Sequence, residues 1–217
     1  MEQTSILIGI PCLEHIKNQT VRSLFASESH IQVPATLHIY NSSLIHDARN
    51  NIVKRAIEEG FTHVMFIDSD IVFPEDGIQK LLDQDKDVIG GLYFRKMPPH
   101  RPNISEIRGK ELIFPSVWPK NRPFKVAGIG AGFLLIKTSV FKEIGEPWFY
   151  YGKFHNSYMG EDIYFGIKCK KRGIEVWCDP TIELQHIGEY AYDIKDYEAY
   201  HESKPASSVD EVWGSEV

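Results

Sequence analysis

His63-Val64-Met65-Phe66-Ile67-Asp68-Ser69-Asp70-Ile71-Val72-Phe73 runs from an apolar stretch into two acids and back into apolar residues. The uninterrupted run Val64-Met65-Phe66-Ile67, uncharged on either face, predicts a strand buried on both sides, as in a parallel sheet. The acids then stand at the strand's carboxyl end, the edge where open α/β sheets bind ligands. Side chains two apart in extended chain point the same way, so the spacing predicts that Asp68 and Asp70 meet one cation. Carboxylate oxygens are hard donors that suit Mn²⁺ or Mg²⁺ shared with substrate phosphates. The plainer reading of the same pair is two solvated turn acids capping the next helix.

Outward from this stretch the chain alternates strands and helices. Upstream, Ser5-Ile6-Leu7-Ile8-Gly9-Ile10 reads as a buried strand stopped by Pro11. Residues 16–25 have helical spacing, and Ala35-Thr36-Leu37-His38-Ile39-Tyr40 reads as a second strand. Residues 48–59 carry Ile52, Val53, Ala56 and Ile57 on one helical face, and Gly60 ends that helix. Downstream, Pro74 opens a short helix through Leu82, and Asp87-Val88-Ile89-Gly90-Gly91 begins another strand. Residues 97–103 hold Pro98, Pro99, Pro102, His100 and Arg101 without periodicity, which predicts a loop. Residues 126–136 are glycine-rich yet apolar, which predicts one strand passing close to a ligand or another backbone. Helices follow over 138–144 and 160–172, the second closed by Gly173, and Ile174-Glu175-Val176-Trp177-Cys178 is a late strand ended by Pro180. This order predicts an α/β fold with a mainly parallel central sheet and helices on both faces. We expect a single domain over residues 1–189 and an acidic, tyrosine-rich tail over 190–217.

Composition fits that reading. The 217 residues are 42% hydrophobic and 25% charged, enough to fill one core without metals or disulfides. A net charge of −6 argues against nucleic acid as a partner, because phosphate neutralisation needs a clustered excess of Lys and Arg. The run Lys168, Lys170, Lys171 and Arg172 reads instead as a solvated helix face. Cys12, Cys169 and Cys178 are odd in number and match no zinc or redox spacing, which predicts reduced thiols. The start of the chain lacks the basic residues of a signal peptide, and the longest apolar run falls well short of the ~20 residues that cross a bilayer. No integral membrane segment and a cytoplasmic location are therefore expected.

Three further places carry chemistry. Gly160-Glu161-Asp162 opens a helix after a segment rich in Phe149, Tyr150, Tyr151, Phe154 and Tyr158. Acids at a helix N-terminus complement its dipole. Beside aromatic surfaces on which a sugar ring packs, one of them also suits a general base. His186 follows the late strand and, as neutral imidazole, would complete a cation site already holding Asp70. Arg49 stands near a helix start, placed either to pair with an anion or to face solvent.

In this order the chain resembles the GT-A fold glycosyltransferases, especially the family-2-like group. The resemblance rests on the opening strand into Pro11; Ala48-Arg49-Asn50; Phe66-Ile67-Asp68-Ser69-Asp70-Ile71; Gly130-Ala131-Gly132-Phe133-Leu134-Leu135-Ile136; Gly160-Glu161-Asp162-Ile163-Tyr164-Phe165; and His186-Ile187-Gly188. It implies hexosyl or deoxyhexosyl transfer from a nucleotide-diphosphate sugar, UDP favoured over GDP, to a glycan or other hydroxyl acceptor. Asp70 would be the principal metal ligand with His186 the second, and Asp68 would contact the metal or the ribose. Pro11, Cys12, Arg49 and Ser69 would line the nucleotide pocket, and Gly132 would lie against donor sugar or acceptor. Asp162, or in second place Glu161, would deprotonate the acceptor hydroxyl in an inverting reaction.

Rival readings differ in chemistry. Asp68-Ser69-Asp70-Ile71-Val72 also fits the opening motif of haloacid dehalogenase-like phosphatases, with Asp68 as nucleophile. Those proteins place the motif on their first strand, whereas two strand-helix units precede it here. A nucleotidyltransferase would show a glycine-rich basic loop where Pro11-Cys12-Leu13-Glu14 stands. A non-catalytic sugar-nucleotide-binding domain would have no use for the base candidate.

Overall fold

A computed structural model describes residues 3–155 and 157–188. The described residues up to Ile187 form one compact unit. The tail expected at 190–217 lies outside the described residues.

The first half of the chain forms β1 (Ile6–Cys12), α1 (Asn18–Ser27), β2 (Ala35–Asn41), α2 (Ile45–Glu58), β3 (His63–Ile67), β4 (Ile71–Val72), α3 (Gly77–Asp83) and β5 (Val88–Gly91). The second half forms β6 (Ile104–Arg108), β7 (Glu111–Ile113), β8 (Phe124–Val126), β9 (Gly128–Ile129), β10 (Phe133–Lys137), α4 (Thr138–Ile144), β11 (Gly152–Phe154), β12 (Ser157–Met159), α5 (Glu161–Lys171), β13 (Val176–Asp179) and β14 (Gln185–His186). Seven strands make the central sheet in the order β2-β1-β3-β10-β5-β13-β8. Strands β2, β1, β3, β5 and β13 run one way, and β10 and β8 run against them. The expected mainly parallel sheet is therefore present, with antiparallel β10 set between β3 and β5.

Alternation along the strands divides the core into two layers. Leu7, Val64, Phe66, Leu134 and Ile136 pack with Ile52 and Val53 of α2, Phe141 of α4 and Phe165 of α5. Ile6, Ile8, Met65, Ile67 and Leu135 face the other way and pack with Ile78 and Leu81 of α3, with Leu24 of α1 against the same layer. Each strand thus feeds both layers at its period of two, the mark of a sheet covered on both faces.

Four departures from the sequence reading have physical causes. β1 does not stop at Pro11 but continues to Cys12, paired with β2 as far as Cys12↔Asn41. Its pairing with β3 ends at Gly9↔Phe66, so the missing Pro11 N–H interrupts no ladder on that side. The single strand expected over 126–136 is instead β8, β9 and β10, which pair with β13, with β6, and with β3 and β5. Its apolar residues serve different sheets. The β6–β7 hairpin, unforeseen because its strands are short and interspersed with charges, turns at Gly109 with φ +62°. The fourth departure builds the site: Ile71-Val72, right after the acids, is a strand pairing antiparallel with β14 through His186↔Ile71 and Gln185↔Val72.

Candidate active site

After Ile67 the chain leaves the extended conformation. Ile71 N–H donates to Asp68 O at 3.2 Å, closing a turn over Ser69-Asp70, while Asp68 N–H donates to Gly132 O at 2.9 Å. The turn cancels the alternation that would have aimed Asp68 and Asp70 at one point. The two carboxylates meet different partners.

Asp68 turns toward α2, where Arg49 Nη2 donates to its Oδ1 at 2.8 Å. Arg49 Nη1 donates to Glu161 Oε1 at the start of α5, so one guanidinium ties together α2, the end of β3 and α5. The Arg49 side chain is 3% exposed and that of Glu161 8%. Burial opposes the charge on Arg49, but Asp68, Glu161 and Asp162 outweigh it and hold the guanidinium protonated. Burial pushes the Glu161 carboxyl up, against the pull of Arg49. Removing one partner of a buried ion pair leaves the other charge uncompensated. We therefore expect Arg49→Met to cost about 3–5 kcal/mol of folding stability, read by chemical denaturation.

Asp70 faces the other side of the turn. His186 Nε2 lies 3.4 Å from its Oδ1, and Lys96 Nζ contacts its Oδ2. The β4–β14 pair delivers the histidine, with Ile187 N–H donating to Asp70 O at 2.8 Å. His186 Nδ1–H donates to Phe94 O at 2.9 Å. In the neutral ring that bond leaves the Nε2 lone pair directed at Asp70, the orientation that second-shell carbonyls impose on metal-binding histidines. Burial opposes the charge of Asp70, but His186 in its protonated form, with Nε2–H facing Oδ1, and Lys96 prevail and hold the carboxyl below the ordinary aspartate range. Among the described residues no three His, Cys, Asp or Glu side chains form a metal-binding group. One carboxylate and one imidazole fit a divalent cation that draws its remaining ligands from substrate phosphates and water.

Asp162 is half-buried, and its Oδ1 accepts Ile163 N–H at 2.7 Å. Burial raises its pKa; Arg49 pulls it down and Asp68 adds to the rise. Glu161 beside it is turned inward to Arg49, so the two acids have separate surroundings.

Two cavities meet at this edge. One of about 260 Å³ is lined by Pro11, Cys12, Ser42, Asp68, Ser69 and Asp70, with His186 at its border. The other, about 470 Å³, is lined by Tyr93, Arg95, Phe114, Tyr158 and Asp162, again with His186. His186 thus stands between a compartment holding Asp70 and one holding Asp162. A larger apolar groove of about 500 Å³ between α1 and β2 is lined by Glu28 as its single charged residue and includes none of these acids. Size alone therefore does not locate the chemistry. Burial pushes the Cys12 thiol up, which makes it a wall rather than a nucleophile. Cys169 and Cys178 are likewise buried free thiols.

Gly130 and Gly132 were expected against a ligand; in the fold they enclose Tyr93, and Gly130 also lines the second cavity. A Cβ on Gly130 would stand 2.4 Å from Tyr93 Oη, and one on Gly132 would stand 2.7 Å from it and 3.0 Å from Asp68 Oδ2. Gly132 N–H donates to Tyr93 Oη at 3.1 Å, and the Tyr93 ring meets His186 edge-on with centroids 5.2 Å apart. Tyr93 so links the glycine segment to the histidine. We expect Gly130→Ala to cost about 1–3 kcal/mol by overpacking, and less in a Tyr93→Phe background, a coupling that a double-mutant denaturation cycle measures.

Tyr93, Lys96 and the Phe94 carbonyl were missed from sequence. The spacing of Gly130 and Gly132 signalled a close approach without saying by what, and Lys96 lies just before the stretch singled out as a loop.

No protein-family model matches the chain, and no curated protein matches it in sequence. Solved structures are similar in fold. A197 from STIV superposes with a TM-score of 0.62 at 19% identity, over 86% of this chain and 87% of that one. GalNAc-T7, solved with UDP, GalNAc and Mn²⁺, gives 0.56 at 12% identity, over 92% of this chain and 48% of that one. TarS 1–349 from S. aureus gives 0.51 at 13% identity, over 84% and 60%. The chain thus spans about half of the GalNAc-T7 chain and three fifths of TarS 1–349. Its fold is a single GT-A-like α/β domain.

Proposed function

We propose that this chain is a metal-dependent glycosyltransferase that moves a hexosyl or deoxyhexosyl unit from a nucleotide-diphosphate sugar, UDP in preference to GDP, to a hydroxyl acceptor, in particular a glycan. The observation that carries the reading is the placing of Asp70 and Asp162 on two cavities that share His186. A donor in the first cavity presents its sugar carbon toward an acceptor in the second. The likeness in fold to GalNAc-T7, solved with UDP and Mn²⁺, supports the donor class and the metal.

Asp70 and His186 would hold Mn²⁺ or Mg²⁺, which when bound offsets the charge that develops on the diphosphate leaving group. Asp68, fixed by Arg49, forms one wall of the nucleotide cavity beside Ser69, Pro11 and Cys12, where its carboxylate suits the ribose. Asp162 accepts the proton of the acceptor hydroxyl as the acceptor oxygen bonds the sugar carbon and the bond from that carbon to the phosphate oxygen breaks. Its raised pKa makes it a better base than an exposed aspartate. Glu161 holds Arg49 and thereby the geometry of Asp68. Arg49 and Gly132 act from behind the cavities rather than lining them.

Calorimetric titration with UDP and GDP, each with and without Mn²⁺, tests the reading. Metal-dependent binding of UDP is the expected result. Absence of binding to either nucleotide in the presence of metal rejects it, and a phosphatase assay then decides whether Asp68 acts as a nucleophile. Among the described residues no helix is long and apolar enough to cross a membrane.

A further inference from the structure

Asp70 is the candidate ligand of a divalent cation, yet a lysine contacts it. Lys96 Nζ holds Oδ2 while His186 stands beside Oδ1, so both carboxylate oxygens are engaged. Lys96 follows β5 at the root of a loop whose stem is fixed by the Phe94↔Pro102 bridge and by Arg95 N–H donating to Arg101 O at 2.9 Å. The backbone is thereby placed, while the side chain, 34% exposed, has four carbons of reach. Asp68, Asp70, Glu161 and Asp162 put four carboxylates at this edge of the sheet; Arg49 and Lys96 are ion-paired with three of them, and Arg95 lines the cavity of Asp162. Arg49 is buried and committed to two acids. Of the two cations ion-paired with these acids, Lys96 is the partly exposed one and has room to redirect.

We propose that Lys96 is an exchangeable counter-ion of the donor site, which holds Asp70 in the donor-free protein and transfers its ammonium to a phosphate oxygen of the nucleoside diphosphate when a divalent cation takes Asp70. This rests on the donor-site reading above. A compact ammonium on a flexible stem suits such a hand-over, because it binds phosphate as a point charge without the fixed fork of a guanidinium. Before the nucleotide arrives, lysine and metal compete for one carboxylate. Afterwards the lysine has an alternative anion and the competition ends. Metal and nucleotide therefore each strengthen the binding of the other, and by linkage to the same degree.

The test is Mn²⁺ binding followed by electron paramagnetic resonance of the free ion, on wild type and Lys96→Met, without nucleotide and with UDP. Without nucleotide, Lys96→Met is expected to bind Mn²⁺ about tenfold more tightly, the worth of one charge-assisted hydrogen bond. With Mn²⁺ saturating, its UDP affinity is expected to fall by about tenfold for the same reason. Lys96→Arg keeps the charge and should leave Mn²⁺ binding near the wild-type level, which separates competition from lost packing. Unchanged or weaker Mn²⁺ binding by Lys96→Met overturns the exchange, as does absence of Mn²⁺ binding in both proteins. A wild type that binds Mn²⁺ but no UDP overturns the donor-site reading and the hand-over with it, while the nucleotide-free comparison still decides the competition. Circular dichroism confirms the fold of each variant; should Lys96→Met fail it, Lys96→Gln takes its place in the same titrations.

Discussion

Under the proposed function, Asp70→Ala is expected to abolish the metal-dependent part of UDP binding and to lower kcat/KM by ~10³-fold, the scale of removing a principal electrostatic stabiliser of a leaving group. Asp70 and His186 are the pair that fits the cation, and a single imidazole remains once the carboxylate is gone. The loss should therefore fall on binding and turnover together. Folding should be little affected, because the Asp70 side chain is 22% exposed and its partner Lys96 remains able to reach water. Calorimetry with UDP, with and without Mn²⁺, reads the first effect and thermal unfolding the second. Metal-dependent UDP affinity that survives the substitution removes Asp70 from the role.

Asp162→Asn separates binding from chemistry. The carboxamide has nearly the shape of the carboxylate but cannot take a proton, so kcat should fall by ~10²- to 10⁴-fold with donor affinity intact. Asp162 lines the second cavity rather than the one holding Asp70, which is why the donor should not sense the change. The pH profile carries the same signature. Burial raises the Asp162 pKa above the ordinary 3.8, so the proton is still bound at pH values where an exposed aspartate is ionised. In the wild type kcat should accordingly decline as pH falls through that raised value, and the remaining activity of Asp162→Asn should lack this limb. Normal turnover in Asp162→Asn eliminates the residue as base. Glu161→Gln contrasts with it: that residue is 6% exposed and bound to Arg49, so its loss should register first in stability.

Both predictions depend on side-chain partners that local patterns do not specify. The period-two argument placed Asp68 and Asp70 on one cation; in the fold both line one cavity, but a turn rather than extended chain joins them. Ile71 N–H closing on Asp68 O sends one acid to Arg49 and the other to His186 and Lys96. The glycine segment was read correctly as a place of close approach, but the approaching group is the Tyr93 ring. Glu161 and Asp162 are adjacent and alike in sequence, yet burial and one guanidinium give them different tasks.

What could be read from the chain was what repeats locally. β3 at His63–Ile67 and α4 at Thr138–Ile144 appear where apolar spacing put them, and the mainly parallel sheet follows from alternating strand and helix signals. The acids at the end of β3 were equally legible, because a buried strand needs a polar exit. The pairing of those acids was not, because it joins residues far apart in the chain. Arg49 and Glu161 are 112 positions apart, and His186 and Phe94 are 92 apart. Such contacts arise where the β4–β14 ladder and the packing of α2 and α5 on α4 close the fold. They depend on the positions of whole elements in space, which no residue's own neighbours along the chain encode.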